Sequence, residues 1–191
     1  IKKKRGIKII NGLKKIRMEI RKNKFKFNKK YEDIHLNIEK RLFAIIGQDA
    51  GYLHIARSRN DQVITDFKLW IKKSSKEVIK NLDDLIKSFL QKSEKNIQII
   101  MPGFTHLKNA QPISFAHYLL AYVEMLNRDK KRFLNNIELI DECPLGSAAL
   151  AGTSFNIDRK FTSKKLGFKN VKVYLGSWGE WGNRLDLPVE N

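Results

Sequence analysis

Cysteine is almost missing from this chain: Cys143 stands alone among 191 residues. A disulfide framework or a cysteine-based zinc site within one chain is thereby excluded, and a reduced, cytoplasmic setting is expected. Long apolar runs are missing as well. No stretch approaches the roughly 18 apolar residues that span a membrane, and the basic start is not followed by the apolar core of a signal peptide. Helix breakers are absent over the middle of the chain, with no Gly or Pro between Asn60 and Leu90. Acidic residues are scarce at the start. Residues 1–30 hold fourteen Lys and Arg against one acid, Glu19, so most of the net charge of +18 sits there. The chain carries no initiating Met and begins inside this basic segment, so it is expected to be a piece of a longer protein.

What is present is helical periodicity. Ile9 or Ile10, Leu13, Ile16 and Ile20 recur at steps of three and four, which predicts an amphipathic helix from about residue 7 to 22. Asp33 can cap a second helix with Ile34, Ile38, Leu42 and Ile45 or Ile46 inward, ending near Gly47. After a turn at Asp49-Ala50-Gly51, Asn60 or Asp61 can cap a third. Its inner face reads Ile64, Phe67, Ile71, Val78, Leu82, Leu85 and Phe89, and it can run about 30 residues unbroken. A fourth is expected from Ile113 to Ile140, with Phe115, Leu119, Tyr122, Leu126, Phe133 and Ile137 in the same rhythm. Near-heptad spacing over such lengths means shallow-angle packing in a long bundle, and helices of about 45 Å imply partner chains. Pro144, Gly146, Ser147 and Gly152 mark a loop, and Asp158 begins a short helix ending near Gly167.

Two stretches carry chemistry. Residues 101–117 place Thr105 and His106 on a segment read as a turn, held between Pro102-Gly103 and Pro112 at a helix entrance. A Thr-His pair there can bind an anion and move a proton. Arg57 to Gln62 are six consecutive polar residues ahead of a helix N-terminus, which suits an anion site and equally suits a plain capped loop. His117, near Tyr118, is read as a structural hydrogen-bonding residue. His35 and His54 lack metal-ligand spacing and receive no chemistry. No cofactor or metal is expected.

The blocks carrying these residues resemble the argininosuccinate lyase family of the fumarase/aspartase superfamily. They include Tyr31-Glu32-Asp33-Ile34-His35, Ala56-Arg57-Ser58-Arg59-Asn60-Asp61-Gln62, Met101-Pro102-Gly103 with Thr105-His106-Leu107, Ala110-Gln111-Pro112, and Pro144-Leu145-Gly146-Ser147. The resemblance runs from about Lys14 to Asn170. It implies an all-α, long-helix bundle, here truncated, forming a homotetramer whose active sites combine different subunits. It also implies elimination of fumarate from the small-molecule substrate argininosuccinate to give arginine. By the same resemblance His106 matches the catalytic histidine, while Ser58, Arg59, Asn60 and Thr105 match substrate-binding residues. Gln111 and Lys108 lie close enough to the pair to line the site. An elimination beside a carboxylate must stabilise the extra charge there as the Cβ proton leaves, and the leaving nitrogen needs a proton.

The chain also departs from that pattern. Ile55 replaces a common Thr. The family's mobile loop with the catalytic serine would lie beyond Asn191 and another substrate-contacting serine before Ile1, so the chain alone is expected to be inactive or nearly so. After Gly167 the lyase pattern gives way. Tyr174, Gly176, Ser177, Trp178, Glu180, Trp181, Gly182 and Leu187-Pro188-Val189 resemble the C-terminal end of thiosulfate/mercaptopyruvate sulfurtransferases, with Leu175 in place of the usual Asp. The expected division is therefore an incomplete N-terminal helical part, 1–58; the start of a central bundle, 59–170; and an unrelated, short irregular tail, 171–191. Two competing readings remain: a basic helical module using residues 1–30 on nucleic acid, and a non-catalytic scaffold. No nucleic-acid module motif appears, so that partner is not expected, and the basic block reads first as a solvated helix face.

Overall fold

The computed structural model describes residues 1–150 and 152–172. The sulfurtransferase-like stretch, 173–189, lies outside the described residues. Five α-helices and one hairpin follow in chain order: α1 Lys3–Arg21, α2 Ile34–Ile46, α3 Arg59–Lys95, β1 Ile100–Thr105, β2 Lys108–Ser114, α4 Phe115–Leu139 and α5 Arg159–Leu166. A 3-10 turn, Gly47–Leu53, links α2 to the loop before α3.

α1 and α2 build the apolar core of the first unit. Ile9, Ile16, Leu42 and Ala50 are buried together, with Leu13, Ile20 and Ile38 packed around them. Gly12 makes the approach possible: a Cβ there would clash with the Leu42 side chain. Asp33 caps α2 as expected, its carboxylate accepting the Leu36 N–H at 2.6 Å. α1 starts at Lys3, earlier than the apolar pattern indicates, because Lys3, Lys4 and Arg5 are good helix formers and outweigh the single Gly6 that follows them.

α3 and α4 pair antiparallel. The Lys68 ammonium donates to the Glu142 carbonyl at 3.0 Å, Lys130 meets Asp83 at 2.5 Å, and Phe89 stacks edge-on against Tyr122. The buried seam of α3 is not the apolar stripe read from the sequence. Asp61, Thr65, Lys72, Ser75, Ile86 and Ser93 are buried, whereas Ile64, Phe67 and Leu85 are exposed. The chain's own packing uses a largely small and polar seam, which leaves Ile64, Phe67 and Leu85 of the apolar stripe exposed and the rest of it half-buried.

The segment read as a proline-bounded turn is an antiparallel hairpin. Thr105 pairs with Lys108 around His106 and Leu107, and Pro102 lies opposite Pro112 beside a bulge at Gly103. A Cβ on Gly103 would meet the Gln111 carbonyl, so the close strand approach needs glycine. His106 (φ 49°) and Leu107 (φ 63°) are both left-handed, the type I′ geometry. That turn prefers Asn-Gly, and His-Leu offers no such signal. The fourth helix accordingly begins at Phe115, capped by Ser114, rather than at Ile113.

Candidate active site

The two groups of candidate residues sit at opposite ends of α3. At the N-terminal end Ser58 is the cap. Its Oγ accepts the Asn60 N–H at 3.2 Å, while Asp61 Oδ1 accepts the Ser58 N–H at 3.1 Å. This reciprocal capping box satisfies two otherwise orphaned donors. The Ser58 hydroxyl proton stays free to donate to an anion. The cap is Ser58 and not Asn60 or Asp61, because the second oxygen of Asp61 is committed elsewhere. Asp61 Oδ2 accepts the N–H groups of Gly146 and Ala148, at 3.0 and 2.8 Å, and so fastens the 144–148 loop to the start of α3.

Around this cap lies a dense charge network. Arg59 Nη1 donates to Glu39 Oε1 at 2.9 Å and to Gln62 at 2.8 Å, and its Nε lies 3.1 Å from Asp33 Oδ2. His54 Nδ1 lies 3.1 Å from the same Glu39 oxygen, and His35 Nδ1 lies 3.0 Å from the Gln62 amide. Burial raises the Glu39 carboxyl, but the bonds from Arg59 and His54 outweigh it and hold the group below the usual carboxylate range. Arg57 is half-buried beside them, its Nη2 3.6 Å from Glu39, with Nε and Nη2 buried and lacking a hydrogen-bond partner among the described residues. Burial lowers its pKa, against a smaller opposing pull from Glu39. Asn60 is exposed at the mouth of this cluster. Arg59, by contrast, is a brace between α2 and α3.

At the other end Thr105, His106, Lys108 and Gln111 are exposed on the hairpin. Their side chains make no hydrogen bond to the described residues. His117 is exposed too, and only its backbone N–H bonds, to Ser114 Oγ at 3.0 Å; Tyr118 pairs with Tyr122 instead, at 3.0 Å. The structural bonding role read for His117 is therefore absent among the described residues.

The resemblance implies a Thr105-His106 pair that faces the Ser58–Asn60 loop. Within one chain it does not. The 37 residues of α3 span about 55 Å at 1.5 Å each. A six-residue strand reaches only about 20 Å, so even a hairpin folded fully back could not close the gap. Five non-glycine residues have positive φ among the described residues, and four belong to these two ends: Ala56 (59°) and Ala148 (53°) at one, His106 and Leu107 at the other. Such strain concentrates at functional sites. Sequence reasoning missed Glu39 and Asp33 as partners of Arg59, and missed the tie from Asp61 to Gly146 and Ala148. Opposite charges in the 31–39 and 57–62 blocks were the one available signal.

A family model described as Lyase matches residues 1–177. The argininosuccinate lyase of Pelagibacter ubique is 73% identical over 162 residues, 85% of this chain and 35% of that protein. The argininosuccinate lyase of Sulfurihydrogenibium sp. is 51% identical over 164 residues, 86% of this chain and 36% of its own length. The chain thus spans about a third of the curated relatives it matches. Among solved structures, an EDDS lyase variant with bound fumarate superposes with a TM-score of 0.79 at 28% identity, covering 90% of this chain and 33% of that one. None of these proteins is a sulfurtransferase. The helical architecture and the family match over nearly the whole sequence agree, and the chain belongs to the lyase family.

Proposed function

We propose that this chain supplies part of an argininosuccinate lyase, which eliminates fumarate from argininosuccinate and releases arginine. The observation that carries the reading is the pair of half-sites, each strained and each unable to reach the other within its own chain. In this mechanism Ser58, Asn60 and Thr105 donate hydrogen bonds to substrate carboxylates, with Gln111 beside them. These donors stabilise the charge that builds as the Cβ proton leaves. His106 moves a proton, either at the departing guanidino nitrogen or through a partner group, since an imidazole titrates near neutrality. Arg59 acts on the substrate loop through Glu39 and Asp33 rather than by direct contact.

The same reading makes the functional unit a homotetramer in the cytoplasm. Support comes from the large apolar side chains left exposed along α3 and α4, among them Phe67, Trp70, Leu120 and Leu134. The isolated 191-residue chain is expected to form no fumarate, because the serine loop of the family pattern is not in this sequence. The tail's resemblance to sulfurtransferases stays part of this proposal, resting only on the short motif from Tyr174 to Val189, and carries no function. The test uses the whole protein with two variants, Asn60→Ala and His106→Ala, each inactive alone. Mixed after dissociation and reassembly, they should regain fumarate absorbance, because some sites then draw an intact Asn60 from one chain and an intact His106 from another. Complete failure to recover activity in a verified mixed oligomer would overturn the shared-site reading. Robust turnover by His106→Ala alone would overturn the role of the histidine.

A further inference from the structure

The connector between α1 and α2 encloses a cleft of about 710 Å³ in which cations and aromatic rings alternate. That volume lies within the roughly 300–1,000 Å³ typical of ligand pockets. The connector is ordered by specific bonds. Asn37, buried on α2, accepts the Asn28 N–H at 2.7 Å and donates to the carbonyls of Asn28 and Asp33 at 3.3 and 2.8 Å. At the other end the N–H groups of Lys24 and Phe25 both reach the Glu19 carbonyl, at 2.8 and 3.3 Å. The shelf is therefore set before any ligand arrives.

On this shelf Phe25 packs against the core, and the Phe27 ring leans on it at 4.7 Å while remaining 52% exposed. An anchored ring supporting a free one is a stacking platform. Tyr31 also lines the cleft. Lys24, Lys26, Lys29 and Lys40 surround these rings. The one acid in the lining, Glu19, is already held by Arg41 through bonds of 2.9 and 2.7 Å, which keep its carboxyl below the usual range. The four lysines thus face the cleft without a free carboxylate. On α1, Arg5 and Lys8 are answered by Asp49, but Lys14, Arg17 and Arg21 recur at steps of three and four toward the connector. They lie on the face of α1 opposite Glu19 and stand outside the cleft.

Exposed aromatic faces flanked by uncompensated lysines are what unstacked bases and their phosphates require. A duplex hides its base faces, and a mononucleotide would leave most of the four lining lysines unused. We propose that the α1–α2 connector cleft binds single-stranded nucleic acid, with Phe27 stacking on a base and Lys24, Lys26, Lys29 and Lys40 on the backbone. This site does not depend on the lyase reading.

Fluorescence anisotropy of a labelled 12-nucleotide oligouridine with the full 191-residue chain tests it. Binding should weaken steeply between 50 and 200 mM salt, with about 0.7 of log–log slope per phosphate engaged. Phe27→Ala should cost about tenfold in affinity and leave that slope intact, since stacking is lost and charge is not. The double change Lys24→Gln, Lys26→Gln should lower the slope by about 1.4. Lys76→Gln with Lys80→Gln, an equal charge loss on the exposed face of α3, should change neither. Circular dichroism checks that each variant remains helical. The proposal is overturned if the oligonucleotide fails to bind at 50 mM salt, or if the α3 control weakens binding as much as the connector variant. It is equally overturned if Phe27→Ala has no effect, or if the chain binds only vesicles of anionic lipid.

Discussion

At the head of α3, Asp61 is 5% exposed and its carboxylate takes backbone N–H groups from Ser58, Gly146 and Ala148. Beyond the other end of the same helix, Leu107 is 98% exposed and, with His106, holds left-handed backbone with nothing packed over it. One end is stabilised within the chain, and the other presents side chains to something outside it. The difference separates residues that a single chain needs in order to fold from residues it displays. Mutations should therefore divide by end.

The largest effect is expected at the head. Asp61→Ala removes a helix cap and strands the buried Gly146 N–H, so denaturant unfolding should show a loss of about 4 kcal/mol. A loss below about 1 kcal/mol would mean the 144–148 loop is not fastened there. Next comes the buried pair farther along α3. Lys72 Nζ meets Asp141 Oδ1 at 2.5 Å and the Gly167 carbonyl at 2.7 Å, and it lies over the Phe168 ring. Lys72→Met leaves Asp141 buried and unpaired, costing about 3 kcal/mol, and Asp141→Leu in the same chain should restore much of it. Burial raises the Asp141 carboxyl, yet the bonds from Lys72 and the Lys169 N–H bring it below its ordinary 3.8. Its contribution is accordingly complete above pH 3.8 and fades as acid titrates the folded-state group below that. Lys72→Met should remove this acid-side slope from the stability profile, and a profile unchanged by the mutation would contradict the assignment.

At the hairpin the signs differ. Leu107→Gly relieves a left-handed Leu and should raise the melting temperature, by the equivalent of about 1 kcal/mol. The smallest effect belongs to His106→Ala, expected to shift stability by less than about 0.5 kcal/mol in a calorimetric scan. In the whole protein it should nevertheless abolish turnover. A large loss of stability would show that the hairpin end is structural after all.

Much of the helical plan was legible in the sequence. Asp33 and Asp158 both cap the helices that follow them, and Gly167 ends α5 in the left-handed conformation. The four-and-three rhythm found α3 and α4, although α3 runs on to Lys95 because nothing stops it at Leu90. Elsewhere local signals ran out. Ser58, Asn60 and Asp61 can each cap a helix, and only the distant Gly146 and Ala148 amides decide between them. The hairpin escaped because prolines and a glycine read as a loop, and because its turn uses residues that tolerate left-handed backbone poorly. The apolar stripe of α3 is legible as a bundle face, but the polar seam the chain itself buries is not. Which surface covers a stripe depends on neighbours, which periodicity does not report.

Pro102 and Pro112 lie on the same rung of a hairpin that has only two strands, so both of its edges are open. Neither residue can donate a hydrogen bond, and at a rung without a mutual bond their nitrogens face outward. Each free edge thus lacks one link that an incoming strand would need. A projecting ribbon with apolar Phe104 and Leu107 near its tip is the sort of feature that templates runaway strand addition between molecules. The paired prolines let the chain display His106 on such a ribbon while blunting its capacity to seed aggregates.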